Sequence, residues 1–267
     1  MQQIFEIKRN SVIAQDVYKL ELMGDTSDIV RPGQFVNISL EGFFLRRPIS
    51  VCDWENGQLT LIYKVVGKGT DALSRMREGA SLNILSGLGN GFDVLKAGKA
   101  PVLFGGGVGT PPMYGLAKRL VLMGRPVEVV LGFASKQDVF YVDEFEALNA
   151  LYDFGCEGFE GAKPQVNVHI ATVDGSLGVK GFVTDCLSDI LECSFYYACG
   201  PIPMLKALKN VMPGRYGDGL TGELSLEERM GCGFGACVGC SVMTAKGPKK
   251  VCSDGPVFES SDLWTQE

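Results

Sequence analysis

Histidine is almost absent from this chain: His169 is the only one in 267 residues. A His-rich metal centre is thereby excluded. No Ser-His-Asp triad can be built without that one residue, which sits in an apolar β pattern and reads as structural. Runs of Lys and Arg are missing as well, and 25 basic against 31 acidic residues leave a formal charge of −6. Nucleic acid and anionic membrane surfaces both reward a basic patch, so neither is expected as a partner. No apolar stretch approaches the ~20 residues that span a bilayer. Met1-Gln2-Gln3-Ile4 opens no basic-then-apolar leader, which gives the expectation of a cytoplasmic protein. Nine cysteines, an odd number, fit that reducing compartment.

What the chain does have is apolar content, glycine and a patterned set of cysteines. With 46% apolar residues, its length suffices for two ordinary domains and a small appendage. The appendage is marked by Cys232-x4-Cys237-x2-Cys240 and a returning Cys252. This is the ligand spacing of a plant-type 2Fe-2S cluster. Two irons need four thiolates on one small inorganic core, so three come from a tight loop and the fourth from a segment that folds back. Gly231, Gly233, Gly235 and Gly239 let that loop bring backbone N–H groups near the sulfurs. A structural zinc site is the main rival, but it normally shows two short C-x2-C hooks.

Taken in order, Gln3 to about Leu85 reads as short strands: Ile4–Lys8, Val17–Leu22, Phe35–Leu40, Ile49–Asp53 and Leu59–Val66. Turn residues punctuate them, which predicts a small antiparallel β-barrel. One helical pattern, Thr70 to Arg77, has Thr70 or Asp71 as its expected N-cap. After Gly98 strands and helices alternate: Val102–Phe104, helix Pro112–Leu122, Val127–Phe133, helix Val142–Leu151, Val166–Ala171, Phe182–Ile190, Phe195–Cys199 and Met204–Val211. Such alternation means βαβ units and a doubly wound parallel sheet. The glycine-rich stretch Gly155 to Pro164 reads as a surface loop. The expected division is a barrel over 1–97, an α/β domain over 98–222 and a cluster segment over 223–267.

Three further motifs carry chemistry. In the barrel, Arg47-Pro48-Ile49-Ser50 sets an arginine at a strand end, where it can pair a phosphate. Ile62-Tyr63-Lys64 and Gly69-Thr70 add an aromatic and basic strand end and a helix N-terminus suited to another phosphate contact. In the second domain, Gly105, Gly107, Gly109 and Thr110 form a strand-to-helix turn whose bare backbone suits a pyrophosphate, with Thr110 the expected cap. No arginine lies between Gly132 and Asp143, so NAD is favoured over NADP. Cys199 and Gly200, with Met204 behind them, end a strand at the edge where such sheets bind ligands. They either line a nicotinamide pocket or simply pack.

Together these pieces resemble the ferredoxin-NADP reductase superfamily. More narrowly the chain is similar to the electron-transfer subunits of class B, NAD-dependent dihydroorotate dehydrogenases. Ser225 to Cys237 and Val251 to Phe258 carry the most specific likeness, and Ile49 stands where the wider superfamily has an aromatic. The resemblance implies FAD held by Arg47, Pro48, Ile49, Ser50, Ile62, Tyr63, Lys64, Gly69 and Thr70. It implies NAD against Gly105, Gly107, Gly109, Thr110, Cys199, Gly200 and Met204, and a 2Fe-2S cluster on Cys232, Cys237, Cys240 and Cys252. No side-chain acid or base is expected. The implied partner is an FMN-binding catalytic subunit, in a heterotetramer of two chains each, serving pyrimidine biosynthesis. The chain alone is not expected to oxidise dihydroorotate. Two alternatives stay open: the small subunit of an NADH-dependent ferredoxin-NADP oxidoreductase or sulfide dehydrogenase, and a non-redox regulatory module with a structural metal.

Overall fold

The computed structural model describes residues 2–151 and 165–264; the expected loop over 155–164 lies outside them. Six antiparallel strands close the N-terminal barrel: β1 (Gln2–Ala14), β2 (Val17–Met23), β3 (Phe35–Ser39), β4 (Arg47–Glu55), β5 (Gln58–Lys64) and β6 (Ser81–Leu88). Their order around the barrel is β1-β2-β5-β4-β3-β6. The two-residue period is plain in β5. Leu59, Leu61 and Tyr63 face the barrel core with Phe5, Leu20 and Ile38, whereas Ile62 turns outward to pack on the second domain. Asn56 and Gly57, both at positive φ, make the β4–β5 hairpin turn. The sixth strand is not among those expected. Leu82 and Ile84 alternate inward, but Ser86 follows at the next buried position and breaks the apolar pattern.

Helix α1 (Lys68–Ser74) starts and stops earlier than expected. Gly67, not Thr70 or Asp71, occupies the N-cap position. Thr70 sits within the first turn and reaches back, its hydroxyl accepting from the N–H groups of Val66 and Gly67 at 3.0 and 3.3 Å. The end is satisfied all the same, by a side chain placed inside the helix rather than before it.

The second unit is a seven-stranded sheet. Its elements in chain order are β7 (Pro101–Gly106), α2 (Thr110–Leu122), β8 (Val127–Phe133), α3 (Val142–Ala147), β9 (Val166–Thr172), β10 (Val179–Lys180), β11 (Phe195–Cys199), α4 (Ile202–Tyr216) and β12 (Gly222–Ser225). The C-terminal segment forms a small hairpin, β13 (Ser241–Thr244) with β14 (Gly247–Lys250), and then returns β15 (Val257–Glu259) to the sheet. The sheet order is β10-β9-β8-β7-β11-β12-β15, parallel except for the antiparallel edge strand β15. Val102, Leu103 and Phe104 are fully buried because elements cover both faces, which is why β7 reads as an unbroken apolar run. One face packs on α2, α3 and the barrel; the other packs on α4 and the cysteine segment.

Two expected elements are shorter or tighter than a regular helix. The pattern over 142–151 ends as a 3-10 turn at Leu148–Leu151, and that over 182–190 is 3-10 throughout Val183–Asp189. There the Asp185 carboxylate accepts the Phe182 N–H at 2.7 Å and fixes the entry. By contrast α4 runs beyond the expected Met204–Val211 at both ends. Pro203 falls in its first turn, where a missing N–H costs nothing. No helix among the described residues is long and apolar enough to cross a membrane.

Candidate functional site

Strand order fixes where a ligand can enter the sheet. The chain runs outward from β7 to β10 and then crosses back to lay β11 along the other side of β7, so the loops after β7 and β11 part at the switch point. There they pack backbone on backbone. A Cβ on Gly109 would lie 2.1 Å from the Cys199 carbonyl oxygen, one on Gly105 2.9 Å from the Thr110 Cα, and one on Gly200, whose φ is 156°, 3.1 Å from the Gly106 Cα. Close approach therefore demands glycine at these positions. Gly107, at φ 53°, has nothing within 4 Å of its Cβ position and is open.

In front of these loops lies a cleft of about 500 Å³, lined by Gly107, Val108 and Met204, by Phe182 and Asp138, and by Lys64 of the barrel. Of the expected NAD residues, Gly107 and Met204 line the cleft. Gly105, Gly109, Thr110, Cys199 and Gly200 stand behind them and shape the crests. Thr110 is not the cap: it is the first helical residue, with Gly109 at the N-cap position. Its hydroxyl is fully buried and has no partner among the described residues. Burial holds the Cys199 thiol protonated, so it acts by packing and not as a nucleophile.

On the barrel, β4 begins at Arg47 and delivers its guanidinium onto the first turn of α1. A Cβ on Gly69 would fall 1.9 Å from Arg47 Nε, so glycine there lets the guanidinium lie against the backbone of the turn. The guanidinium donates to the carbonyl oxygens of Leu45 and Arg46 and lies 4.7 Å from the Phe43 ring centre. Among the described residues no carboxylate pairs with it, which fits a phosphate as its counter-charge. Pro48 and Ile49 pair with Asn37 and Val36, and Ser50 with Phe35. Tyr63 turns inward, 5.6 Å from the Tyr18 ring, its hydroxyl donating to Asn10 at 3.1 Å. Lys64 leaves the barrel and reaches Asp138 across the cleft mouth at 3.6 Å. Arg47, Gly69 and Thr70 are thus brought together, while Lys64 belongs to the cleft.

The cysteines stand as two pairs. Cys232 and Cys237 neighbour each other in the loop, and buried Cys240 neighbours buried Cys252, whose surroundings also include Cys232. Among the described residues no three Cys, His, Asp or Glu side chains converge on one metal ion. Four cysteines, three in one loop and one returning, are the number that a two-iron core needs. Backbone N–H groups meet the sulfurs: Gly235 donates to Cys252 at 3.1 Å and Cys237 to Cys232 at 3.3 Å. Burial works against the Cys232 thiolate, yet the amides of Cys237, Phe234 and Ala236 draw it down to about 6. Burial and the Cys240 thiol push Cys252 the other way, to about 11. Backbone amides thus meet two of the four sulfurs, those of Cys232 and Cys252.

Two clamping positions carry no motif. Asn90, between the barrel and the sheet, donates to the carbonyls of Asp254 and Val257 at 3.1 and 2.8 Å and accepts the Val257 N–H at 3.1 Å. Asn37, on β3, donates to the Cys232 carbonyl. Both clamp the cysteine segment to the rest of the chain, and a lone asparagine gives no sequence signal of that. Asp138 and Phe182 join the cleft only through tertiary packing. His169 is structural, held 2.7 Å from Glu128.

Known proteins share these features. A model of the iron-sulfur cluster binding domain of dihydroorotate dehydrogenase B matches residues 227–264, and one of the oxidoreductase NAD-binding domain matches 103–210. The chain is similar to a dihydroorotate dehydrogenase B (NAD+) electron transfer subunit of Lysinibacillus sphaericus, 44% identical over 259 residues and covering 92% of each chain. The subunit of the same description from Fusobacterium nucleatum is 39% identical over 272 residues, covering 96% of each. A solved structure of an NADH-dependent reduced ferredoxin-NADP oxidoreductase aligns with TM-score 0.80 and 31% identity, over 97% of this chain and 88% of that one. Alike to the curated subunits over more than nine-tenths of its length, the chain belongs to the family of dihydroorotate dehydrogenase B (NAD+) electron transfer subunits.

Proposed function

We propose that this chain conducts electrons between NAD and the FMN-containing catalytic subunit of a dihydroorotate dehydrogenase. The observation that carries the reading is that one frame holds three sites: the switch-point cleft with Lys64 of the barrel in its lining, the Arg47–Gly69 cradle on the same barrel, and the paired cysteines clamped against that barrel through Asn37. FAD, when bound, exchanges a hydride with nicotinamide and single electrons with a 2Fe-2S cluster. The chain's own residues bind and orient. Arg47 would neutralise a flavin phosphate beside Gly69 and Thr70. Pro48, Ile49 and Ser50 continue the strand that carries it, and Ile62 and Tyr63, packed on the second domain and in the barrel core, hold the neighbouring β5 in place. Gly107 and the crest glycines admit the dinucleotide backbone, and Lys64 meets it from the barrel rim. Cys232, Cys237, Cys240 and Cys252 would hold the 2Fe-2S cluster.

Exposed apolar side chains at Phe234, Val238 and Met243 support a lasting interface at the cluster end. The assembly we infer is a heterotetramer of two such chains with two catalytic subunits. Eight free cysteines among the described residues support a cytoplasmic setting. The fold likeness to the ferredoxin-NADP oxidoreductase structure supports a second reading, in which a soluble ferredoxin takes the place of the catalytic subunit. Iron, sulfide and flavin assays on the purified chain, followed by anaerobic addition of NADH, test the proposal. It predicts flavin with two irons per chain and bleaching of both; a colourless zinc protein would end it.

A further inference from the structure

Asn37 stands where the barrel meets the cysteine loop. It is nearly fully buried on β3, paired with Pro48 of the strand that carries Arg47. Its Nδ2 donates to the Cys232 carbonyl at 3.4 Å, and a Cβ on Gly233 would fall 2.3 Å from the same nitrogen. The next residue of the loop, Gly233, holds φ 79°, a left-handed conformation that glycine adopts freely. The strand beneath is pinned too. Arg46 donates to the Asn37 carbonyl at 3.2 Å, to the Asn83 carbonyl at 3.1 Å and to Asn83 Oδ1 at 2.8 Å. Consecutive arginines therefore divide the work, Arg47 facing Gly69 and Arg46 fixing the strand that holds Asn37. Asn37 Oδ1 has no partner among the described residues. A strand position serving packing alone would avoid that cost with a β-branched side chain.

We propose that Asn37 is a positioning residue for electron passage: it holds the Cys232 peptide against the flavin-binding barrel and fixes the cluster's place relative to it. The inference rests on the cofactor assignment above and adds the element that couples the two cofactor sites. An amide hydrogen aimed at the Cys232 peptide also favours added negative charge at the cluster end. Its loss therefore moves the cluster potential to more negative values.

The test uses the full-length chain loaded with flavin and iron. Asn37→Leu removes both amide atoms, Asn37→Ser keeps polarity but is too short to reach, and Gly233→Ala attacks the same contact from the loop side. Stopped-flow reduction by NADH follows flavin and cluster separately, and a redox titration read by electron paramagnetic resonance gives the cluster potential. Flavin reduction by NADH stays at the wild-type rate. Cluster reduction slows by about tenfold or more, the range in which outer-sphere partners of metal sites act, and the potential falls in Asn37→Leu. Should Asn37→Leu shed iron, Asn37→Ser carries the same measurement. Cluster reduction at the wild-type rate with an unmoved potential in iron-replete variants would overturn the inference. Wild-type protein without flavin or iron would instead overturn the cofactor reading, and this one with it.

Discussion

Replacing Gly109 by alanine tests the crest of the cleft most sharply. Gly109 sits at φ −79°, so alanine meets no backbone strain and the effect is purely steric. Its Cβ would lie 2.1 Å from the Cys199 oxygen, 2.4 Å from the Cys199 carbonyl carbon and 2.7 Å from the Gly200 nitrogen, whereas ordinary contact begins at 3.4 Å. All three atoms are backbone and cannot rotate away. The two crests must separate by about 1 Å, and overpacking of this kind costs roughly 1–3 kcal/mol, here at the upper end. A misplacement of about 1 Å in a site costs on the order of 100-fold. Gly109→Ala is therefore expected to lower the efficiency of NADH-dependent flavin reduction by about 100-fold, and the melting temperature by roughly 6–12 °C. Flavin and iron contents remain those of the wild type, because the barrel and the cysteines are untouched. Steady-state kinetics with an artificial acceptor and a thermal melt measure both effects. A variant with unchanged efficiency and melting temperature would refute the close packing of the two crests.

Arg47→Ala is expected to weaken FAD retention tenfold or more, since a charge-assisted phosphate contact contributes roughly 1.5–3 kcal/mol; equilibrium dialysis of flavin reads it, and unchanged affinity would place the phosphate elsewhere. Cys237→Ser should lose or destabilise the cluster while keeping flavin, and stoichiometric iron with an unaltered spectrum would remove Cys237 from the ligand set. The His169–Glu128 pair gives a pH dependence with a definite sign. The Glu128 hydrogen bond raises the His169 pKa above its ordinary 6.5, so its contribution is full below that value and fades as pH climbs past the folded pKa. Glu128, lowered from 4.5 by His169 and Asn167 against its burial, loses its share as pH falls through its own folded pKa. The stability gap between wild type and Glu128→Gln, from melts across pH, should be widest between 4.5 and 6.5 and narrow toward alkaline pH. A gap independent of pH would show that the pair does not titrate with folding.

The sequence made the architecture legible where local chemistry and global fold agree. Alternation in β5, the Asn56-Gly57 turn and the apolar run of β7 each follow from a single periodicity. The cysteine spacing was equally plain, because converging thiolates constrain sequence directly. Helix starts were not. Thr70 and Thr110 look like caps by type, yet one caps from within the helix and the other lies buried in its first turn, since glycines had already taken the N-cap positions. Strand β6 is hidden in the sequence because Ser86 interrupts its apolar face. Nor could the sequence disclose Asn37 and Asn90. Their partners lie 195 and 167 residues away, and a hydrogen bond across that separation leaves no periodic trace.

The central claim is that electrons cross this chain between NAD and a catalytic partner by way of the cysteine segment. Its most direct measurement is NADH formation from dihydroorotate and NAD by the chain combined with an FMN-containing dihydroorotate dehydrogenase subunit, with the chain alone, the partner alone and a Cys252→Ser chain as controls. The account predicts NADH only when both wild-type chains are present, together with a complex that survives gel filtration. No coupling and no complex, with rapid reduction of ferredoxin by the isolated chain, would contradict it.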